Sequence, residues 1–165
     1  STAGGSKATS PAGKPGSPGT ISGTTLTNSA DTQPVDPSSS LVTFERLEAI
    51  GDAFNRHDVD AVMTHFADDC VFYAVGGDHA YGAKIEGAEA IAKAFSGVWA
   101  GMKDAHWDHH SHFVHGDRAV SEWTFSGTGA DGMRIEAQGA DLFTLRDGKI
   151  IVKQALRKSR PPFKA

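Results

Sequence analysis

Glu122, Asp141 and Lys153 are the residues of this chain best spaced for acid–base chemistry. Each lies in a segment that alternates apolar and polar residues, and the short turns between segments decide which of them meet. With Asp131-Gly132 as a two-residue turn, Glu122 is expected opposite Asp141. With Arg146-Asp147-Gly148 as a three-residue turn carrying Gly148 in the left-handed position, Asp141 is expected opposite Lys153. If Gly116-Asp117 closes the first hairpin, Ser111 faces Glu122, and the row reads Ser111, Glu122, Asp141, Lys153. Alternation puts Ile135, Ala137, Gly139, Phe143 and Leu145 on the side of Asp141, and Arg134, Glu136, Gln138, Thr144 and Arg146 on the other. A carboxylate on an apolar face is costly unless it is paired, hydrogen-bonded or protonated. Beside Lys153 it ionises and serves as a base or charge holder. Beside Glu122, two carboxylates compete for one proton and one pKa rises. An ion network that only locks strand register fits the same row.

The elements that must position this row follow from periodicity. Phe44, Leu47, Ile50 and Phe54 form a helical stripe ending near Asn55. Asp58 is a plausible N-cap for a second helix carrying Val59, Val62, Met63 and Phe66. A strand over 70–75 runs into a Gly-containing loop, and a third helix spans about 86–99. After Asp104 the period drops to two in four segments, 106–115, 118–128, 133–146 and 149–158. Helices followed by a meander of long antiparallel strands give an α+β fold, in which the sheet curls into a cup around three helices.

Five histidines crowd the first long strand: His106, His109, His110, His112 and His115. His110 and His112 are expected on one face, where a His-x-His pair could take zinc or iron. Their expected strand-mates are Ser121 and Trp123, so no third ligand follows, and a subunit contact or plain surface is favoured with no metal assigned. His109 is expected to share the face of Glu122 and Thr124, near the rim, and is the candidate proton shuttle. Phe72, Trp107 and Phe113 are expected as cup lining, with Thr124 on the ligand side. Arg157, near the open end of its strand, could meet an anionic group. Trp123 and Phe125 fall on the outer face by this register. Two exposed rings point to a homodimer through that face, whereas a β-bulge would turn them inward and Glu122 outward.

Composition narrows the classes. The 165 residues carry a net charge of -4 with Lys and Arg scattered, so no nucleic-acid surface is expected. No apolar run approaches the roughly 20 residues of a membrane-spanning helix. There is no Gly-rich dinucleotide loop. The single cysteine, Cys70, has no partner for an internal disulfide. Residues 1–40 are Gly, Ser, Thr, Pro and Ala with few apolar residues, and are expected to be unfolded. The start at Ser1 fits either a processed exported chain or one recorded without its leader, so cytoplasmic and exported locations both stay open.

Certain strings resemble a known family. Ala53-Phe54-Asn55-Arg56-His57-Asp58-Val59-Asp60 and His65-Phe66-Ala67-Asp68-Asp69-Cys70 are similar to the helix-turn-helix opening of steroid isomerases. Glu122-Trp123-Thr124 with Gly127, Gly139-Ala140-Asp141-Leu142-Phe143 and Asp147-Gly148-Lys149-Ile150 resemble the SnoaL-like polyketide-cyclase branch of the nuclear transport factor two-like superfamily. The resemblance covers Leu41 to about Arg160. It implies a cone-shaped, curved antiparallel (mixed) sheet wrapped around three N-terminal helices, with residues 41–165 as the domain. By resemblance, Asp141 matches the protonated aspartic acid that steroid isomerases use to stabilise an oxyanion. Their general base falls at Ala74 and their oxyanion tyrosine at Ile50, so that mechanism is not expected. The pocket pair of limonene epoxide hydrolases maps to Phe72 and Ala74, again apolar, which makes both ligand-lining candidates. The expectation is a small acid–base enzyme of isomerase, cyclase or dehydratase type, working without cofactor on an apolar organic molecule. Asp141, Glu122, Lys153 and His109 would carry the chemistry. A non-catalytic ligand-binding or dimerisation module of the same fold is the alternative.

Overall fold

The computed structural model describes residues 37–165, with side chains described from Phe44 onward. The reading of residues 1–40 as unfolded therefore lies, up to residue 36, outside the described residues. Helix α1 (Pro37–Asn55) buries Leu47, Ile50, Ala53 and Phe54 along one face. It ends in a Schellman motif: His57 N–H donates to Phe54 O, Asp58 N–H donates to Ala53 O, and His57 takes the left-handed conformation at φ 56°. A histidine there is held by its side chain, which stacks on Trp99 and is 2.8 Å from Ala105 O through Nε2. Asp58 then caps α2 (Val59–Met63), its Oδ1 accepting from Ala61 N–H at 3.1 Å. Asn55 clamps the same corner to the sheet by donating to Trp107 O and accepting from Trp107 N–H.

Strands β1 (Phe66–Tyr73) and β2 (Lys84–Glu86) precede α3 (Ala88–Gly101), which buries Ile91, Phe95 and Trp99. Four long strands follow: β3 (His106–His115), β4 (Arg118–Thr128), β5 (Arg134–Arg146) and β6 (Lys149–Arg157). The six-stranded sheet has the order β2-β1-β6-β5-β4-β3, antiparallel throughout except where β6 runs parallel to β1. Helices pack on one face of a mixed sheet, as the α+β expectation requires.

Two turn lengths differ from expectation, and they rearrange the polar row. The β4–β5 connection is a three-residue loop, Ala130–Gly132, closed by Gly129 N–H donating to Met133 O, with Gly132 at φ 76°. Asp131 Oδ1 accepts from Met133 N–H and favours this longer form. The extra residue moves the register by one, and Asp141 faces Ser121 while Glu122 faces Ala140. A one-residue slip exchanges the faces of a strand. Trp123 and Phe125 are therefore buried at 2% exposure, and Glu122 is exposed on the outer face. The β5–β6 connection is in contrast a two-residue turn with both Asp147 (φ 52°) and Gly148 (φ 73°) left-handed. A bulge at Ile151 then shifts the pairing further. Asp141 pairs with Ala155 and Lys153 with Phe143, a displacement of two that keeps Asp141 and Lys153 on one face as diagonal neighbours. Only Ser111 opposite Glu122 keeps its expected partner.

Candidate active site

The inner face of β5 holds Ala137, Asp141, Phe143 and Leu145, all buried. Asp141 and Lys153 are each 7% exposed, and Lys153 Nζ lies 3.8 Å from Asp141 Oδ2. Nζ also sits over three aromatic rings, 4.3 Å from the centroid of Phe54, 4.8 Å from Phe95 and 5.0 Å from Phe72. Each ring face returns about 0.5–2 kcal/mol to an ammonium. Removing that ammonium from water costs several kcal/mol. Desolvation wins: burial pushes the Lys153 pKa down, against the opposing pull of Asp141. Burial likewise pushes the Asp141 pKa up, opposed by Lys153 and by the nearby indole of Trp123. The ammonium–carboxylate pair and the amine–carboxylic acid pair hold the same number of protons, and burial brings the two forms closer in energy.

Asp141 Oδ1 and Trp123 Nε1 are both buried without a hydrogen-bond partner. The indole is near enough to draw the Asp141 pKa downward yet lacks hydrogen-bond geometry. Trp123 gains its seat because its cross-strand partner is Gly139. A Cβ there would lie 2.2 Å from Leu156 O and 2.6 Å from the indole, so only glycine lets the strand pass beneath the ring.

Asp141 and Lys153 form part of the wall of a cavity of about 260 Å³. Phe72, Ala74, Trp107, Phe125 and Arg157 line it too, with Arg157 half-buried and its guanidinium 5.2 Å from the Phe125 ring centroid. The volume lies near the lower end of the range for small-molecule pockets, and the lining is mostly apolar with six aromatic rings.

Of the expected site residues, the structure thus brings together Asp141, Lys153, Phe72, Ala74, Trp107 and Arg157. It separates three others. Glu122 points outward because of the loop length. Thr124 also lies on the outer face, where its Oγ1 is 2.7 Å from His110 Nε2. Phe113 is 53% exposed on that face rather than lining the cup.

His109 does share the inner face with Asp141, both bordering one small gap, for a reason the sequence does not show. A bulge at His110 splits the expected His110–His112 pair and puts His109 and His112 on the inner face, their rings 5.5 Å apart. His109 packs so closely on α1 that a Cβ on Gly51 would fall 2.9 Å from its Cε1. Burial, then His112, lowers the His109 pKa to about 4, so its ring is neutral at pH 7. His112 Nδ1 is hydrogen-bonded to the buried Ser121 Oγ at 2.8 Å, and Ser121 pairs with Asp141. The inner row therefore runs His112, Ser121, Asp141, Ala155. No cluster of three metal-ligating side chains exists among the described residues. Ser121 is a site residue that the sequence does not single out; Trp123 and Phe125 take the inward facing of the alternative arrangement, reached through the length of the β4–β5 loop and not through a bulge in β4. The signal for that facing was Trp123 and Phe125 two apart, since only an inward register buries both rings.

A family model described as a SnoaL-like domain matches residues 47–152. No curated protein matches the chain. Among solved structures, an NTF2-like protein of unknown function from Mesorhizobium loti is 28% identical, with TM-score 0.61, over 73% of this chain and 93% of that one. A protein with ketosteroid isomerase-like fold from Catenulispora acidiphila, in complex with trimethylamine, is 26% identical over 67% and 83%, with TM-score 0.58. A protein assigned as a candidate polyketide cyclase from Xanthomonas campestris pv. campestris shares the fold at 20% identity and TM-score 0.64, over 73% and 93%.

Proposed function

The chain belongs to the SnoaL-like domain family, and from that premise we propose that it binds a largely apolar organic molecule in the aromatic cup and moves protons on it through Asp141 and Lys153. The observation that carries this reading is an ion pair, 7% exposed at each partner, at the wall of an apolar cavity, with one carboxyl oxygen unpartnered. A carboxyl group of this kind, its pKa raised by burial, is suited to give or take a proton. The chemistry rests on Asp141 with Lys153 rather than on two carboxylates, because Glu122 is on the other face. His109, neutral at pH 7, lines the small gap that Asp141 and Lys153 also border. No second base is needed when the amine and acid of one pair exchange a single proton.

The test is exchange of the α-protons of 2-tetralone in deuterated water, followed by NMR. The protein should accelerate exchange, and Asp141→Asn should reduce the acceleration roughly 10²-fold while still folding. Equal exchange by the variant would remove Asp141 from the chemistry.

A second copy is proposed to dock on the outer sheet face, where Phe113 (53%) and Leu156 (48%) are exposed. Phe113→Asp should lower the sedimenting mass to that of one chain; an unchanged mass for wild type and variant would place the contact elsewhere or remove it.

A further inference from the structure

We propose that Lys153 is an amine nucleophile that captures a small aromatic aldehyde or ketone in the cup as a protonated imine, with Asp141 as the proton carrier. This rests on the cup being the ligand site proposed above, and it names a ligand class for it. Three features of the geometry combine here. The amine sits at the wall of a cavity with room for a ligand, not at the surface. Phe54, Phe72 and Phe95 fix where the nitrogen lies. The carboxyl group 3.8 Å away has one oxygen with no partner, free to meet a carbonyl oxygen. An apolar enclosure that keeps a lysine short of its proton is the usual way such an amine becomes nucleophilic.

The step begins when one proton passes from Lys153 to Asp141, leaving a free amine and a carboxylic acid. The nitrogen lone pair forms a bond to the carbonyl carbon, and the π pair moves to oxygen, which takes the Asp141 proton. The carboxylate then removes a proton from the new ammonium to give a neutral carbinolamine. Returning that proton to the hydroxyl group expels water as the nitrogen lone pair forms the C=N bond. The products are an iminium on Lys153, an Asp141 carboxylate beside it and one water. Nothing is oxidised or reduced. The buried carboxylate holds the iminium as it held the ammonium, so the wall keeps its charge balance through the reaction.

The experiment incubates the full chain with benzaldehyde and sodium cyanoborohydride, then maps modified lysines by peptide mass spectrometry. Lys153 should carry the reduced adduct on the order of tenfold or more above exposed lysines such as Lys84, Lys149 and Lys158. Benzyl alcohol, which fills the cup but cannot form an imine, should suppress the label at Lys153 alone. Lys153→Arg keeps the cation beside Asp141 and should fold without acquiring the internal label. Label spread over exposed lysines, with Lys153 unmodified, overturns the proposal. If 2-tetralone exchange survives in that case, the acid–base reading stands without the imine. If exchange, label and any thermal shift by benzyl alcohol are all absent, both readings fall.

Discussion

The two hollows on either side of His109 are built from opposite materials. The cup holds about 260 Å³ among aromatic rings and encloses an ammonium and a carboxyl group. The neighbouring cleft, about 430 Å³, is lined by Phe44, Glu48, Asp52, His109, His110 and His112 and faces water. Gly51, His109, Ser121, Asp141 and Lys153 surround the nearly sealed gap between them. Asp141 and Lys153 compensate one another in the cup, and burial moves each toward its neutral form, while the Arg157 guanidinium lies half-buried against Phe125. In the cleft, Glu48 and Asp52 are exposed and His112 spends its ring nitrogen on Ser121. The drier hollow is the one in which burial moves an acid and a base together toward their neutral forms.

The contrast can be broken most forcefully at Lys153. Lys153→Met leaves Asp141 buried without a counter-charge and should cost about 3–5 kcal/mol in urea unfolding at pH 7.5. The sign follows from Asp141: a carboxyl whose folded pKa is raised favours its protonated form when folded. The cost should therefore grow as pH rises from the unfolded carboxylate range, about 3.9, through the folded value. The double variant Lys153→Met/Asp141→Leu should recover most of the loss or exceed wild type. A single variant as stable as wild type would mean the cup is wet. His109 sharpens the boundary between the hollows. Its folded pKa of about 4 lies below the unfolded value near 6.5. Its contribution is present above pH 6.5 and is lost as pH falls to 4. The ring is partly solvated, so the loss should be about 1–2 kcal/mol rather than the full shift. His109→Asn should flatten the stability profile in that window, and an unchanged slope would place the effect in another group. The smallest change is expected in the cleft: His112→Ala leaves the buried Ser121 hydroxyl short of a partner, at about 1 kcal/mol, with 2-tetralone exchange unaltered. Lost exchange in that variant would join the two hollows into one site.

The elements were legible because their signals are local. The α1 stripe, the Asp58 cap and the bounds of β3 and β4 follow from spacing that a neighbour cannot overrule. Membership of the SnoaL-like family, too, was legible from the Asn55–Asp58 corner and the Gly139–Phe143 string. The site was half legible. That Asp141 stands on the apolar face follows from β5 alone, whereas what faces it depends on two loops. Asp131-Gly132 and Asp147-Gly148 are the same dipeptide, yet one sits in a three-residue loop and the other forms a two-residue turn. What separates them is the hydrogen bond from Gly129 to Met133 in the first and the bulge at Ile151 after the second. Asp131 favours the longer loop by accepting from Met133 N–H, but Asp147 in the same dipeptide does not extend its turn. The bulge at Ile151 has no signature in the residues themselves. Burial of Trp123 and Phe125 would have resolved the first case, because two rings facing water cost more than one Glu facing it. The bulge at His110 has no comparable signal.

Strand β6 comes last in the chain but takes a central seat, between β1 and β5. A nascent chain that has emerged only as far as Gly148 holds two unfinished ribbons, each with an unpaired rim of N–H and C=O groups. Neither ribbon alone can enclose Phe72 and Asp141 together, since the residue that joins them arrives on the missing strand. Assembly of the pocket thus waits for β6 to emerge, and a translation product halted before Lys149 would offer other chains two sticky borders instead of a finished bowl.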